Sequence, residues 1–180
     1  MPPAMKPKVN LDALKALRDE TGAPIGDCRT ALEEASGDSA KAKEILRRKG
    51  ALAASKRQDR VTGQGRIESY IHHDGRMGAI VEVNCETDFV ARTPDFVQFC
   101  RDVAMHVAAM SPQFVRPEDA PKDSGLSAED VKASALLEQF FVRDQKTTIG
   151  DLLKALIGKT GENVVVRRFT RFAVGGPVSG

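Results

Sequence analysis

Tryptophan is missing from this chain, tyrosine occurs once, and cysteine occurs only three times in 180 residues. Cys28, Cys85 and Cys100 are odd in number, far apart, and include no Cys-x-x-Cys pair. That excludes a disulfide framework or a zinc knuckle and points to a reducing compartment, the cytoplasm. No apolar run approaches the roughly 18 residues needed to cross a bilayer, so no membrane partner is expected. The stretch Met1 to Val9 carries Lys6 and Lys8 with no apolar segment behind them, which is not the form of a signal peptide. Charge of one sign is scarce too. With 27 Lys and Arg against 25 Asp and Glu, the formal net charge is only +2, too weak by itself to imply nucleic acid or membrane binding. What remains, 41% hydrophobic and 29% charged, is the composition of a globular protein with one domain or a small domain plus a modest core.

The periodicity divides the chain. Residues 1–8 are Pro-rich and read as a flexible tail. Residues 9–50 read as three short helices. Asn10 caps the first, which carries Leu11, Leu14 and Leu17, and Gly22 ends it. Pro24 opens the second, with Ile25, Cys28, Leu32 and Ala35 at helical spacing. Gly37-Asp38 recaps the third, with Ala42, Ile45 and Leu46 inward. Helices this short are not stable singly, so packing among them must hold the bundle. Residues 51–62 are basic and Ala-rich and continue helically as a linker. At residues 63–174 the period switches to 2. Arg66 to Ile71 and Ala79 to Cys85 alternate around Asp74-Gly75, predicting a β-hairpin. Pro94 opens an amphipathic helix with Phe96, Cys100, Val103 and Val107 on one face, and Ser111-Pro112 closes it. Phe114 to Gly125 reads as loop, Ser127 to Gln139 as a helix, Thr148 to Lys159 as another, and Asn163 to Ala173 as a final strand. Residues 175–180 read as a tail. The expected class is α+β: a three-helix bundle, then a core with a three-stranded antiparallel sheet packed by helices.

The residues that could carry chemistry do not assemble into a catalytic or metal site. Gly158-Lys159-Thr160 resembles the end of a phosphate-binding loop, but Leu153 stands where its first glycine belongs. A helix C-terminus with a favourable cation is the better reading. Gly63-x-Gly65 precedes a strand and reads as a hinge. His72 and His73 are adjacent, so on a strand they would face opposite ways and could not easily serve one metal, and a solvated turn is the better reading. His106 has no partner histidine one turn on. The cysteines fall on apolar faces and read as buried thiols. Two basic clusters remain, Arg47 to Arg60 and Arg167-Arg168-Phe169-Thr170-Arg171-Phe172. They support an alternative reading as an RNA-binding module.

The segment Asn84-Cys85-Glu86-Thr87-Asp88-Phe89-Val90-Ala91-Arg92 runs from a strand end into a helix start, where Thr87 or Asp88 can cap. Periodicity alone favours packing Phe89 into the core. The alternative is an aromatic presented rigidly to a partner. This segment resembles the signature of elongation factor Ts, in its short bacterial type. Leu17-Arg18-Asp19-Glu20-Thr21-Gly22-Ala23 with Asp27-Cys28-Arg29-Thr30-Ala31-Leu32 resembles it also. So does Gly161-Glu162-Asn163-Val164-Val165-Val166-Arg167-Arg168-Phe169, and the three stand in the family's order.

The resemblance implies a guanine-nucleotide exchange factor, not an enzyme, with no cofactor and no metal of its own. Its partner would be elongation factor Tu, the GTPase that carries aminoacyl-tRNA, and no direct nucleic acid contact is expected. The bundle would be of the ubiquitin-associated type. Thr87, Asp88, Phe89 and Val90 would dislodge Mg²⁺ from the partner. Arg18, Pro24, Ile25, Gly26, Asp27 and Arg57 would touch it through the bundle and linker. Pro24-Ile25-Gly26 departs from the family's usual Gly-Met-Met. In short relatives a final-strand cysteine can bridge two copies. Thr170 stands there instead, so any homodimer would be non-covalent.

Overall fold

A computed structural model describes residues 9–176, so the expected tail at 1–8 and the end of the tail at 175–180 lie outside the described residues. Helix α1 (Leu11–Thr21) starts at Asn10, whose side chain accepts a hydrogen bond from Asp12 N at 2.8 Å. It ends at Gly22, in the left-handed conformation at φ 63°. Helix α2 (Ile25–Glu34) starts after Pro24, and α3 (Ser39–Arg57) starts at Asp38, whose carboxylate accepts from Ala40 N and Lys41 N. Leu14, Leu17, Cys28, Ala31, Leu32, Ala35 and Ala42 form the bundle's own apolar cluster. The linker expected to be helical over 51–62 continues α3 without a break as far as Arg57, and residues 58–62 are not helical.

Strands β1 (Gln64–Ile71) and β2 (Met77–Cys85) form the expected hairpin, and β5 (Val164–Ala173) pairs antiparallel with β2. The sheet order is β1-β2-β5. Between β2 and β5 lie α4 (Asp88–Ala91), α5 (Pro94–Met110), α6 (Ala128–Ser134), β3 (Phe140–Phe141), β4 (Asp144–Thr148) and α7 (Ile149–Thr160). Ala79, Val81, Val83 and Cys85 of β2 face inward. They join Phe96, Phe99, Cys100, Val103 and Val107 of α5 and Leu153, Leu156 and Ile157 of α7 in the second apolar cluster. The molecule is α+β, with helices on one face of a three-stranded antiparallel sheet. Among the described residues nothing covers the other face, where Ile67, Ile71, Ile80 and Phe172 are exposed.

Two expectations change. The helix foreseen over 127–139 stops at Ser134, followed by a single 3-10 turn and the small β3–β4 hairpin. His106 explains the stop. This fully buried imidazole bonds Gln139 Oε1 through Nε2 at 3.0 Å, and its Nδ1 accepts from Val142 N at 3.2 Å, drawing 139–142 across α5. Gly65 is not a hinge. It lies within β1 at φ 155°, where a Cβ would stand 2.3 Å from Val83 O. His72 and His73 lie in the turn after β1, as expected, with ring centroids 4.2 Å apart, and His72 Nδ1 lies 3.0 Å from the Tyr70 hydroxyl.

The bundle and core meet at α3 and α7, which approach most closely through two glycines. A Cβ on Gly158 would stand 3.5 Å from Gly50 Cα. Lys159 lies against Gly22 and bonds Asp95 at 2.6 Å, so one side chain touches α1's end, α7 and α5. Among the described residues no helix is long and apolar enough to cross a membrane.

Candidate functional site

The segment after β2 makes a sharp turn into α4. Thr87 is extended, at φ −125° and ψ 154°, and its hydroxyl accepts from Val90 N at 3.4 Å as the helix cap. Val90 and Ala91 are buried in the core cluster. Because they point inward, the geometry of a single helical turn sends Phe89 outward, and its residue is 82% exposed. A large aromatic held outward on a fixed turn is the kind of side chain that anchors protein interfaces. Val90, grouped with Phe89 as a partner-facing residue, is instead the root that fixes the turn. Asp88 pairs with Arg92 at 2.9 Å, but both side chains are at least half exposed, so the pair adds little stability.

The turn is tied down from across the molecule. Thr87 N and the Thr87 hydroxyl donate to the two carboxylate oxygens of Glu162, at 3.0 and 2.6 Å. Glu86 accepts from Asn163 N at 2.6 Å and lies 3.4 Å from Arg60 Nη1. Asn163 is 3% exposed, and its amide donates to Gln58 O and Arg60 O beyond the end of α3. Glu86, Glu162 and Asn163 went unassigned in the sequence. Their signal was the third motif itself, Gly161-Glu162-Asn163, whose partners 75 to 77 residues away no spacing rule connects.

The bundle residues fall into two groups. Pro24, Asp27 and Arg57 line a cleft of about 510 Å³ between α2, α3 and α7, together with Lys43, Arg47 and Lys159. One guanidinium nitrogen of Arg57, Nη1, is buried there without a hydrogen-bond partner. Arg18, Ile25 and Gly26 are exposed outside that cleft, and nothing stands within 4 Å of a Cβ placed on Gly26.

The chemistry available is that of contact. Burial pushes the Cys85 thiol up to about 11, helped by the Glu162 charge, and the Cys100 thiol up to about 12. Neither is a thiolate near neutrality, so neither is an activated nucleophile. Among the described residues no group of three or more His, Cys, Asp or Glu side chains is placed to hold a metal. The C-terminal cations are engaged: Arg167 and Arg168 lie 3.4 and 2.6 Å from Glu82, and Arg171 donates to Ala108 O. Arg167 and Arg168 share one carboxylate and stay mostly exposed, so β5 keeps net positive charge.

Fold and site together define an α+β protein that holds an aromatic outward on a fixed turn. The family model described as Elongation factor TS matches residues 40–131. Elongation factor Ts of Rubrobacter xylanophilus is 43% identical over 189 residues, covering 90% of this chain and 97% of that protein. Elongation factor Ts of Carboxydothermus hydrogenoformans is also 43% identical, covering 90% of this chain and 87% of its own. That of Thermotoga neapolitana is 42% identical, covering 93% and 98%. The chain belongs to the elongation factor Ts family, and with it to the translation elongation factors.

Proposed function

We infer that this chain is the nucleotide-exchange partner of elongation factor Tu in the cytoplasm, with Phe89 as the wedge. The observation that carries the reading is the exposure of Phe89 on a turn whose flanking residues are buried and whose cap is tied to Glu162. A partner that binds the nucleotide-free state more tightly than the GDP state must weaken GDP binding by the same factor. An aromatic inserted beside the phosphates supplies a contact made in one state only. Bound Mg²⁺ neutralises phosphate charge, so displacing it loosens the nucleotide. Asp88, next to the ring and exposed, brings negative charge to the same place. Pro24, Asp27 and Arg57 on the cleft, with Arg18, Ile25 and Gly26 beside it, give the bundle a second contact on the partner.

Linkage makes this testable at equilibrium. Titration calorimetry of the chain into nucleotide-free Tu and into Tu with GDP and Mg²⁺ is expected to give affinities differing by at least about tenfold. Equal affinities would exclude exchange activity, because a ligand indifferent to the two states shifts nothing.

The uncovered sheet face supports a second contact, with another copy of the chain. Ile67, Ile71, Ile80 and Phe172 are exposed, and Ser69 and Thr170 beside Ile80 are small and uncharged, so the Ile80 end of two such faces can stack while the paired Glu82 and Arg168 lie at the other end. Light scattering is expected to show a dimer at high concentration that Ile80→Asp abolishes. A monomer at every concentration would remove this contact.

A further inference from the structure

The third sequence motif has no role in the exchange reading, yet it bonds the turn that carries the wedge. Glu162 reaches the turn from the loop between α7 and β5. Its two oxygens accept from Thr87 N and from the Thr87 hydroxyl, and Thr87 is the cap of the one-turn helix that carries Phe89. The base of this clasp is anchored on both sides. Gly161 ends α7 in the left-handed conformation at φ 75°. On the other side Asn163 is buried, held by Gln58 O, Arg60 O and the Glu86 carboxylate. A helix of only four residues cannot hold its own geometry. Val90 and Ala91 fix the inward side of the turn, whereas nothing packs over Phe89 to fix the outward side.

We propose that Glu162 is a positioning residue for exchange: its bidentate clasp on Thr87 pre-sets the direction in which Phe89 meets the partner. The inference rests on the exchange reading. A ring that must enter a narrow site gains rate from being held in the productive direction before contact, because the ordering cost is then met during folding. Loss of the clasp leaves Phe89 present but unaimed. It therefore acts on the maximal rate of GDP release more than on the concentration needed for half-maximal effect, to which the bundle contributes independently.

The test is a cycle of Glu162→Ala and Phe89→Ala, measured as release of fluorescent GDP from Tu over a concentration series of the full chain. Glu162→Ala is expected to lower the maximal rate about tenfold with a near-unchanged half-saturating concentration. It should cause no further loss in the Phe89→Ala background. Glu162→Gln keeps one acceptor oxygen and should recover part of the rate. Hydrogen exchange in the free chain is expected to speed up at the amides of residues 87–91 in Glu162→Ala and not in α5, which separates aiming from unfolding. Full activity in Glu162→Ala while Phe89→Ala is impaired would overturn the inference and leave the exchange reading standing. Additive losses in the double variant would overturn it as well, since Glu162 would then act by another route. Full activity in Phe89→Ala would overturn the wedge and this inference together. Unchanged exchange at residues 87–91 would overturn the clasp whatever the rates.

Discussion

Gly26 is where a single side chain is most open to change. It lies on the exposed face of α2 with nothing within 4 Å of an added Cβ, next to Ile25, which is exposed. Gly26→Met would add apolar surface to the contact proposed for the bundle and remove a glycine from the first turn of α2, a gain below the roughly 1 kcal/mol of an interior position. The expected result is a few-fold tighter complex with Tu by calorimetry and a slightly higher Tm. Unchanged affinity would place that face of α2 outside the interface. Gly65 is the opposite case. Its Cβ would collide with Val83 O and its φ of 155° is open to glycine, so Gly65→Ala should lose about 2 kcal/mol or more in urea titration. The same residue scale shows what sequence could not decide about Phe89. Helical spacing says that Phe89, Val90 and Ala91 share one turn, but not which of them faces in. Only the tertiary position of the turn, set by Glu162 and the core beneath Val90, makes the choice.

Elements with strong end signals were legible. Asn10, Asp38, Thr93, Ser127 and Thr148 each cap the helix that the sequence assigned near them, and each accepts a backbone hydrogen bond. The hairpin and β5 followed from alternation. The β3–β4 hairpin was hidden because Phe140–Phe141 is too short to alternate and Asp144–Thr148 is polar throughout. Its place is dictated by His106, a contact 33 and 36 residues long in sequence. That contact predicts a pH response. Val142 N can only donate, so Nδ1 must be unprotonated, and burial holds the imidazole below its ordinary value of 6.5. A histidine depressed in the folded state binds protons more readily when unfolded. Its stabilising effect is therefore complete above pH 6.5 and is lost as pH falls toward the lowered value, at up to about 1.4 kcal/mol per pH unit. Urea midpoints are expected to fall between pH 7 and 5.5, and the fall should be smaller in His106→Gln. Equal slopes in the two proteins would remove His106 as the cause.

At the scale of the whole molecule, the bundle's position depends on how closely α3 approaches α7. A Cβ on Gly50 would stand 3.6 Å from Lys154 O, an ordinary contact, so alanine fits there and a larger side chain does not. Gly50→Ala should therefore hold or raise stability by about 0.5–1 kcal/mol. Gly50→Leu should lose about 1–3 kcal/mol and lower exchange activity by shifting the bundle against the core. Equal behaviour of the two variants would show that the helix crossing does not matter. The sheet's outer face also belongs to this scale. Alternation revealed that β1 has two faces, and the register reveals that its isoleucines lie on the open one while Glu68 and Tyr70 turn toward α5. Sequence could locate the strands, but the side on which the helices would settle came only from the assembled fold.

The most direct measurement is the rate of fluorescent GDP release from Tu at saturating chain, for wild type and Phe89→Ala of equal Tm. The account predicts strong acceleration by wild type and a loss of at least about tenfold in the variant, with stability unchanged to within about 0.5 kcal/mol because the ring is exposed. Equal acceleration by the two proteins would contradict it.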